Sequence, residues 1–324
     1  MTKYVYDLSE GDASQRSLLG GKGANVAEML RIGVPVPDGF TVTTEACVAT
    51  MRRDARWPDG LWEEVLAHLA TLEERTGRRL GAAERPLLVS VRSGAVFSMP
   101  GMMDTILNLG MCEAAADALG AETGDERFAW DSYRRFAQMF GEVVMGVPGD
   151  VYEHALSALK TRRGVALDTD LSADDLRGLV ATFRSLTREH ARDDLPEDPK
   201  EQLRRAIDAV FRSWQNPRAA VYRRAHAIPD DLGTAVNVMQ MVFGNLGEDS
   251  ATGVCFTRNP ATGDRELYGE FLVNAQGEDV VAGIRTPQQV TLVGSRRWAE
   301  LARVSEEERR ARYPSLEELM PALY

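Results

Sequence analysis

The chain has 324 residues, and 38 Lys and Arg residues against 49 Asp and Glu residues give it a formal net charge of −11. This length is sufficient for one large domain or two ordinary domains, each with its own hydrophobic core. The hydrophobic fraction of 44% and the charged fraction of 27% exclude a disordered, fibrous or basic nucleic-acid-binding protein. The apolar runs are far shorter than the roughly 18 residues of a membrane span, and the N-terminus has neither a secretory nor a transit pattern, so we expect a cytoplasmic protein.

The first third of the chain alternates short apolar runs with Gly and Pro, which is typical of a mixed α/β region. A short helix is predicted at 24–31, directly after a glycine-rich turn. Strands are predicted at 3–6, 39–43 and 86–91. We expect the last of these strands to end at Arg92-Ser93-Gly94, because Ser and Gly are typical of turns.

The middle of the chain, from Cys112 to about Ile228, has fewer Gly and β-branched residues and shows helical periodicity. Three predicted apolar faces are formed by Ala129, Tyr133, Phe136, Phe140 and Val143, by Leu176, Leu179, Val180 and Phe183, and by Leu203, Ile207 and Phe211. Ser172, followed by Asp174 and Asp175, is a plausible helix start with an acidic first turn. This part of the chain therefore predicts a helical insert.

After Asp231 the pattern becomes strand-like again, with Gly and Asn between the apolar runs. The predicted strands are 235–242, 253–256, 268–273 and 290–293. The last twenty residues, which include 305–310 and 315–319, are predicted to be helical.

The cysteines and histidines form no recognisable metal or disulfide pattern. Because the cysteines are widely spaced and odd in number, we expect buried thiols in a reducing compartment; they are Cys47, Cys112 and Cys255. The histidines lie in helical contexts that predict solvated or partly buried side chains; they are His68, His154, His190 and His226.

One lysine stands among three glycines ahead of the first predicted helix, in Gly20-Gly21-Lys22-Gly23. Glycines let the backbone approach an anion, the helix N-terminus supplies N–H groups and the ammonium supplies a mobile charge, which together suit a phosphate. The spacing fits neither of two known phosphate-binding motifs. A Walker A loop needs Gly at the position of Arg16, and a Rossmann fingerprint needs Gly at the position of Val26. A glycine turn with a solvated lysine is the competing interpretation.

Arg92 stands at the predicted end of an apolar strand. Ligands bind at such ends in open α/β sheets, and a guanidinium can fork onto phosphate oxygens; an ion pair with a surface carboxylate is the alternative. The following segment, 98–105, contains Pro and Gly and has neither helix nor strand periodicity. It is either a packed connection or a loop that closes over a nucleotide, with the Gly101 N–H and the Thr105 hydroxyl as contacts.

Two later segments carry candidate contacts to a base and a ribose. Met and Val residues in the run 236–245, which includes Gln240 and Met241, suit the flat face of a base, and amides at the strand end suit its edge. A Met-rich strand is also typical of simple core. Acidic residues in 269–279, including Glu278, suit ribose hydroxyls or Mg²⁺ held through water. A polar turn between strands is the alternative for this second segment.

Taken together, segments 18–29, 90–110, 236–256 and 269–287 resemble the N-terminal nucleotide-binding portion of pyruvate, phosphate dikinase. The resemblance covers essentially the whole chain. It implies an ATP-grasp-type two-lobed fold of the α/β (α+β) class, with ATP between the lobes. The implied divisions are a first lobe of 1–111 with 198–243, a helical insert of 112–197, and a second lobe of 244–324.

The resemblance also implies roles for the candidate residues. By motif match, the ATP-binding residues are Lys22 and Arg92 at the phosphates, Gly101 and Thr105 in the loop over them, Gln240 and Met241 near the adenine, and Glu278 near the ribose. These assignments agree with the chemistry of the two cations, since phosphoryl transfer needs positioning and charge neutralisation. The implied cofactors are ATP and Mg²⁺, and the family's metal ligands are expected beyond Tyr324.

The family reaction implied by this resemblance converts ATP, phosphate and pyruvate into AMP, diphosphate and phosphoenolpyruvate through a phosphohistidine. None of the four histidines matches the family's Thr-Ser-His context, so we expect an ATP-binding portion that is inactive alone. Its expected partners are the phosphohistidine and pyruvate-binding domains. One alternative is a phosphoenolpyruvate synthase-type phosphotransferase, but the run 274–287 favours the dikinase. A second alternative is a non-catalytic nucleotide-binding module.

Overall fold

The computed structural model describes residues 2–282 and 286–323, without the side chains of 278, 281 and 282. The chain divides into two compact units, Met1–Met241 and Val242–Tyr324. Within the described ranges, no helix has the length and the apolar content needed to cross a bilayer.

The strands of both units are short and pair almost entirely antiparallel. They are β1 (Val5–Asp7), β2 (Gly39–Val42), β3 (Arg79–Leu80), β4 (Pro86–Leu87), β5 (Val89–Ala95), β6 (Thr105–Leu109), β7 (Thr234–Gln240), β8 (Ala251–Phe256), β9 (Tyr268–Val273) and β10 (Gln288–Gln289).

Helices precede, connect and follow these strands. They are α1 (Arg16–Arg31), α2 (Thr44–Met51), α3 (Leu61–Thr76), α4 (Glu113–Thr123), α5 (Glu126–Val143), α6 (Gly149–Arg163), α7 (Ala173–Ala191), α8 (Pro199–Ser213), α9 (Pro217–Ala225), α10 (Gly277–Ala282), α11 (Leu292–Ala302), α12 (Glu306–Arg312) and α13 (Leu316–Leu319). The mixture of helices and antiparallel sheets confirms the predicted fold class.

The first unit is built on a five-stranded sheet with the order β1-β2-β7-β5-β6. Helix α1 packs on β5 and β7, and α8 also packs on both of these central strands. Most apolar residues of the sheet are fully buried, for example Phe40, Val91 and Val238. The candidate residues of the first unit lie on this sheet or on segments next to it.

The prediction that a strand ends at Arg92-Ser93-Gly94 is wrong. Strand β5 runs through these residues to Ala95, and all seven of its residues pair with β7. A central strand gains its hydrogen bonds and its packing from both neighbours, which outweighs the weak strand preference of Ser and Gly. Arg92 therefore lies in the middle of a strand and not at its end.

The helical part of the first unit follows the predicted periodicity closely. Helices α5, α7 and α8 bury the predicted apolar faces, except that Val143 is only half-buried. Ser172 caps α7 as predicted, since its side chain accepts a hydrogen bond from the N–H of Asp175. Periodicity and capping were sufficient here because these helices are long and amphipathic.

In the second unit, β9 lies between β8 and β10 in a three-stranded sheet. The predicted extended run 290–293 is wrong, because α11 begins at Leu292. The side chain of Thr291 accepts a hydrogen bond from the N–H of Gly294 at 2.9 Å, and this cap starts a helix from residues that also suit a strand. Ser305 and Ser315 cap α12 and α13 in the same way, which confirms the helical end.

The three cysteines are free thiols, but they are not all buried. Cys47 is buried on α2, and desolvation raises the pKa of its thiol to about 11. Cys255 is exposed, which contradicts the prediction, because it lies on β8 at the edge of the three-stranded sheet.

Candidate functional site

The glycine turn divides helix α1 in two. Gly20 has non-helical angles, φ 69° and ψ 172°, so a new helical segment starts at Gly21. The turn lies directly on β5, because a Cβ at Gly20 would overlap the carbonyl oxygen of Gly94. The first N–H groups of a helix have no partner inside it, and Lys22 lies in this first turn.

A row of polar side chains crosses the sheet face beneath α1. The register places Thr41 of β2 opposite Asn237 of β7, Asn237 opposite Arg92 of β5, and Arg92 opposite Thr105 of β6. Residues directly opposite in antiparallel strands share a face. A Cβ at Gly23 would lie 2.7 Å from Asn237 Oδ1, so α1 covers this same face.

Lys22 and Arg92 lie close enough to affect one another. Desolvation lowers the pKa of Lys22, and the positive charge of Arg92 lowers it further. Both residues are exposed to solvent. Two neighbouring cations repel each other, and an anion bound beside them would relieve that repulsion.

The segment 96–104 is an irregular loop between β5 and β6. It is anchored by Met99, which is buried against Trp214 and Ala219. Gly101 is exposed at φ 70° with open space where a Cβ would be. The loop leads into Thr105, the half-buried residue opposite Arg92, so the predicted nucleotide loop and Arg92 belong to one part of the sheet.

The far end of this loop is fixed by a charged contact. Asp104 accepts a hydrogen bond from Arg218 at 3.1 Å, and burial raises the pKa of this carboxyl despite that partner. Asp104 also lines a cavity of about 550 Å³ between α5, α8 and α9. Neither Lys22 nor Arg92 lines this cavity, so it is separate from the candidate phosphate site.

The residues predicted near a base lie at the end of β7. The N–H of Gln240 donates to the carbonyl of Asp38 and the N–H of Met241 donates to that of Leu88, both at 2.8 Å. These two backbone N–H groups are therefore committed to the fold and cannot read a base edge, which is contrary to the expectation for amides at the strand end. The side chains are half-buried and not part of the core, so part of each is accessible to a ligand.

Glu278 belongs to α10 in the second unit, but its side chain lies outside the described part of the structure. Residues 283–285 of the run 274–287 also lie outside it.

Sequence reasoning missed two polar residues at the site. Asn237 is 3% exposed, and its Oδ1 accepts a hydrogen bond from the Thr41 hydroxyl at 3.0 Å. An asparagine between two valines of a buried strand was the available signal. Arg16, considered only as a mismatch to a Walker A loop, donates from Nε to the carbonyl of Val96 at 3.1 Å and thus joins α1 to the 96–104 loop.

The implied Mg²⁺ does not fit the residues around Lys22 and Arg92. Within 2–282 and 286–323, the one group of three or more His, Cys, Asp or Glu side chains close enough to share an ion is Asp7, Glu10 and His68. Its carboxylates are already paired, Asp7 with Arg75 and Glu10 with Lys3. Hard cations require several oxygen ligands, so no metal step is assigned to the described residues.

The chain matches the family described as pyruvate phosphate dikinase, AMP/ATP-binding domain, over residues 16–56 and 48–322. It is 55% identical over 292 residues to pyruvate, phosphate dikinase of Clostridium symbiosum, which covers 90% of this chain and 33% of that protein. Identity to the Rhizobium meliloti (strain 1021) enzyme is 53% over 328 residues, covering 100% of this chain and 35% of that one.

A plant relative has a similar identity and a similar coverage. Pyruvate, phosphate dikinase 1, chloroplastic, of Arabidopsis thaliana is 56% identical over 282 residues, which are 87% of this chain and 29% of that protein. The chain thus spans about a third of the length of the curated relatives it matches.

Proposed function

Because the chain belongs to the pyruvate, phosphate dikinase family and matches its AMP/ATP-binding domain, we propose that it binds ATP with the phosphates between Lys22 and Arg92. The observation that carries this proposal is the placement of both cations on one face of the five-stranded sheet, beside a helix N-terminus formed at Gly20. Backbone N–H groups at a helix start, an ammonium and a guanidinium are complementary to phosphate oxygens.

The remaining candidates extend this site along the strands. Thr105 contributes a hydroxyl next to Arg92, and Gly101 contributes an exposed backbone in the 96–104 loop. The resemblance adds Gln240 and Met241 as adenine contacts through their side chains and Glu278 as a ribose contact. With no covalent chemistry on these side chains, the chain acts by positioning ATP and neutralising its charge.

The wider reaction is proposed on the resemblance alone. In the first step, a histidine takes the terminal pyrophosphoryl group of ATP, AMP leaves, and phosphate then removes the outer phosphoryl group as diphosphate. In the second step, the phosphohistidine transfers its remaining phosphoryl group to pyruvate, which gives phosphoenolpyruvate. Those two steps require partner domains, and the relatives are about three times as long as the part that this chain matches. The same proposal keeps residues 112–197 as a helical insert beside the lobe of 1–111 with 198–243, and 244–324 as the second lobe.

Removing either cation is expected to weaken ATP binding. Lys22→Ala and Arg92→Ala should each cost about 1.5–3 kcal/mol of binding free energy, the usual value of a charged hydrogen bond. Isothermal titration calorimetry with ATP measures this directly. Lys200→Ala is the matched control, because Lys200 is an exposed lysine at the start of α8. ATP affinity that is unchanged in both site variants, or equally reduced in the control, would contradict the proposal.

Mg²⁺ is expected to contribute little to ATP affinity in this chain. The described residues bring no carboxylate cluster to the phosphate site, so the metal has few protein ligands to gain. We expect weak ATP binding whose dissociation constant changes by less than about tenfold, or 1.4 kcal/mol, between excess EDTA and saturating Mg²⁺. Tight binding that disappears in EDTA would show that the metal site is present after all.

A further inference from the structure

Arg16 lies where the glycine turn meets the 96–104 loop. It is the first residue of α1, one turn before the kink at Gly20. Its Nε donates to the Val96 carbonyl at 3.1 Å, and its guanidinium passes over Gly21, since a Cβ at Gly21 would lie 3.4 Å from a terminal nitrogen of Arg16. The guanidinium therefore connects the two segments that border the proposed phosphate site.

The charge of Arg16 has no acidic partner in the described part of the chain. Within 2–282 and 286–323, no Asp or Glu oxygen lies within 4.0 Å of its nitrogens. The hydrogen bond to Val96 uses one of the five N–H donors of the guanidinium. The side chain is exposed, so the other donors can be reached by a ligand. The Arg16 guanidinium next to Gly21 therefore offers a positive charge and several N–H donors to an anion.

The pairing of β5 with β7 shows the order in which the candidate residues lie along β5. Gln240 pairs with Val89 at the start of β5, Asn237 pairs with Arg92 in the middle, and Val96 follows the last strand residue. At about 3.3 Å per residue, Val89 and Val96 are about 23 Å apart along the strand. This step depends on the proposed function: if the adenine lies at Gln240 and the phosphates begin near Arg92, the terminal phosphates extend toward Val96 and Arg16.

We propose that Arg16 is a third phosphate-binding cation, which contacts the terminal phosphates of ATP and thereby distinguishes ATP from AMP. A guanidinium presents paired donors that match two oxygens of one phosphate. The bond to Val96 fixes the side chain before the ligand arrives, which reduces the conformational entropy lost on binding. The same bond links phosphate binding to the position of the 96–104 loop.

The test compares ATP and AMP binding by calorimetry for the unmodified chain and four variants. Arg16→Ala should weaken ATP binding about tenfold or more, as expected for a charged hydrogen bond, and leave AMP affinity within about twofold. Arg16→Lys should recover only part of the ATP affinity, because it keeps the charge but loses the paired donors. Lys22→Ala is the positive control, and Arg31→Ala, at the other end of α1 and paired with Glu28, is the negative one.

Each outcome separates this inference from the proposed function. If the unmodified chain does not bind ATP, the proposed function fails and the role of Arg16 fails with it. If Lys22→Ala loses affinity and Arg16→Ala does not, only the role of Arg16 is overturned. An equal loss for ATP and AMP in Arg16→Ala, or no recovery in Arg16→Lys, would assign Arg16 to structural tethering of the loop and overturn phosphate binding.

Discussion

Replacing Gly20 with alanine is expected to destabilise the first unit by about 3 kcal/mol or more and to abolish ATP binding. Two causes act together. A residue other than glycine is strained at φ 69°, and the new Cβ would overlap the carbonyl oxygen of Gly94 on β5. Backbone atoms of a central strand cannot move aside as a flexible side chain can. The helix after the kink, which carries Lys22, would have to leave the sheet.

Gly33→Ala is the control for backbone strain alone. Gly33 follows the same helix and has φ 84°, but the space where its Cβ would lie is open. Its substitution should cost only about 1 kcal/mol and leave ATP affinity unchanged. Urea unfolding measures both losses, and titration calorimetry measures the affinities. Equal destabilisation by the two variants would show that the contact with Gly94 does not fix the turn.

The glycine turn also explains why part of this site could be predicted from the sequence. The phosphate chemistry of Gly20-Gly21-Lys22-Gly23 depends on residues adjacent in the chain, and a helix was predicted directly after them. The position of Arg92 depends on pairing with β7, which is more than 140 residues away in the chain. Local turn propensity placed Arg92 at a strand end, and only the sheet topology places it in the middle.

Residues that act through non-local contacts were the ones missed. Arg16 acquires its significance from Val96, eighty positions along the chain, and Asn237 acquires its own from Thr41 and Arg92. Strand β6 was not predicted, because Thr105–Leu109 is short and becomes a strand by pairing with β5. In contrast, α5, α7 and α8 were predicted well, because their stabilising contacts repeat every three or four residues.

In the second unit, replacing Arg309 with methionine is expected to cost about 3 kcal/mol or more, as for a buried ion pair that loses one partner. The side chain of Arg309 is fully buried. It donates to Glu306 at 2.7 Å and to both carboxylate oxygens of Glu318 at 2.8 Å, and a further bond reaches Ser295. These bonds join α11, α12 and α13, so their loss should separate the three helices.

Hydrogen exchange of residues 286–323 followed by mass spectrometry is the measurement that detects this separation. Arg312→Ala is the matched control, because Arg312 lies on the same helix and forms only an exposed pair with Glu308 at 3.3 Å. Such surface pairs contribute roughly 0–1 kcal/mol, so exchange in this variant should remain close to that of the unmodified chain. Protection that is equally lost in both variants, or retained in Arg309→Met, would contradict the expected role of the buried arginine.

The pH dependence of stability provides a second, independent readout of Arg309. Its hydrogen bonds lower the pKa of Glu318 from 4.5 to about 2. A carboxyl whose pKa is lowered on folding stabilises the native state above its unfolded pKa and loses this contribution as the pH falls. The second unit should therefore lose stability between about pH 4.5 and pH 2. Arg309→Met should show a smaller loss across the same interval, because its Glu318 no longer has a cationic partner to release.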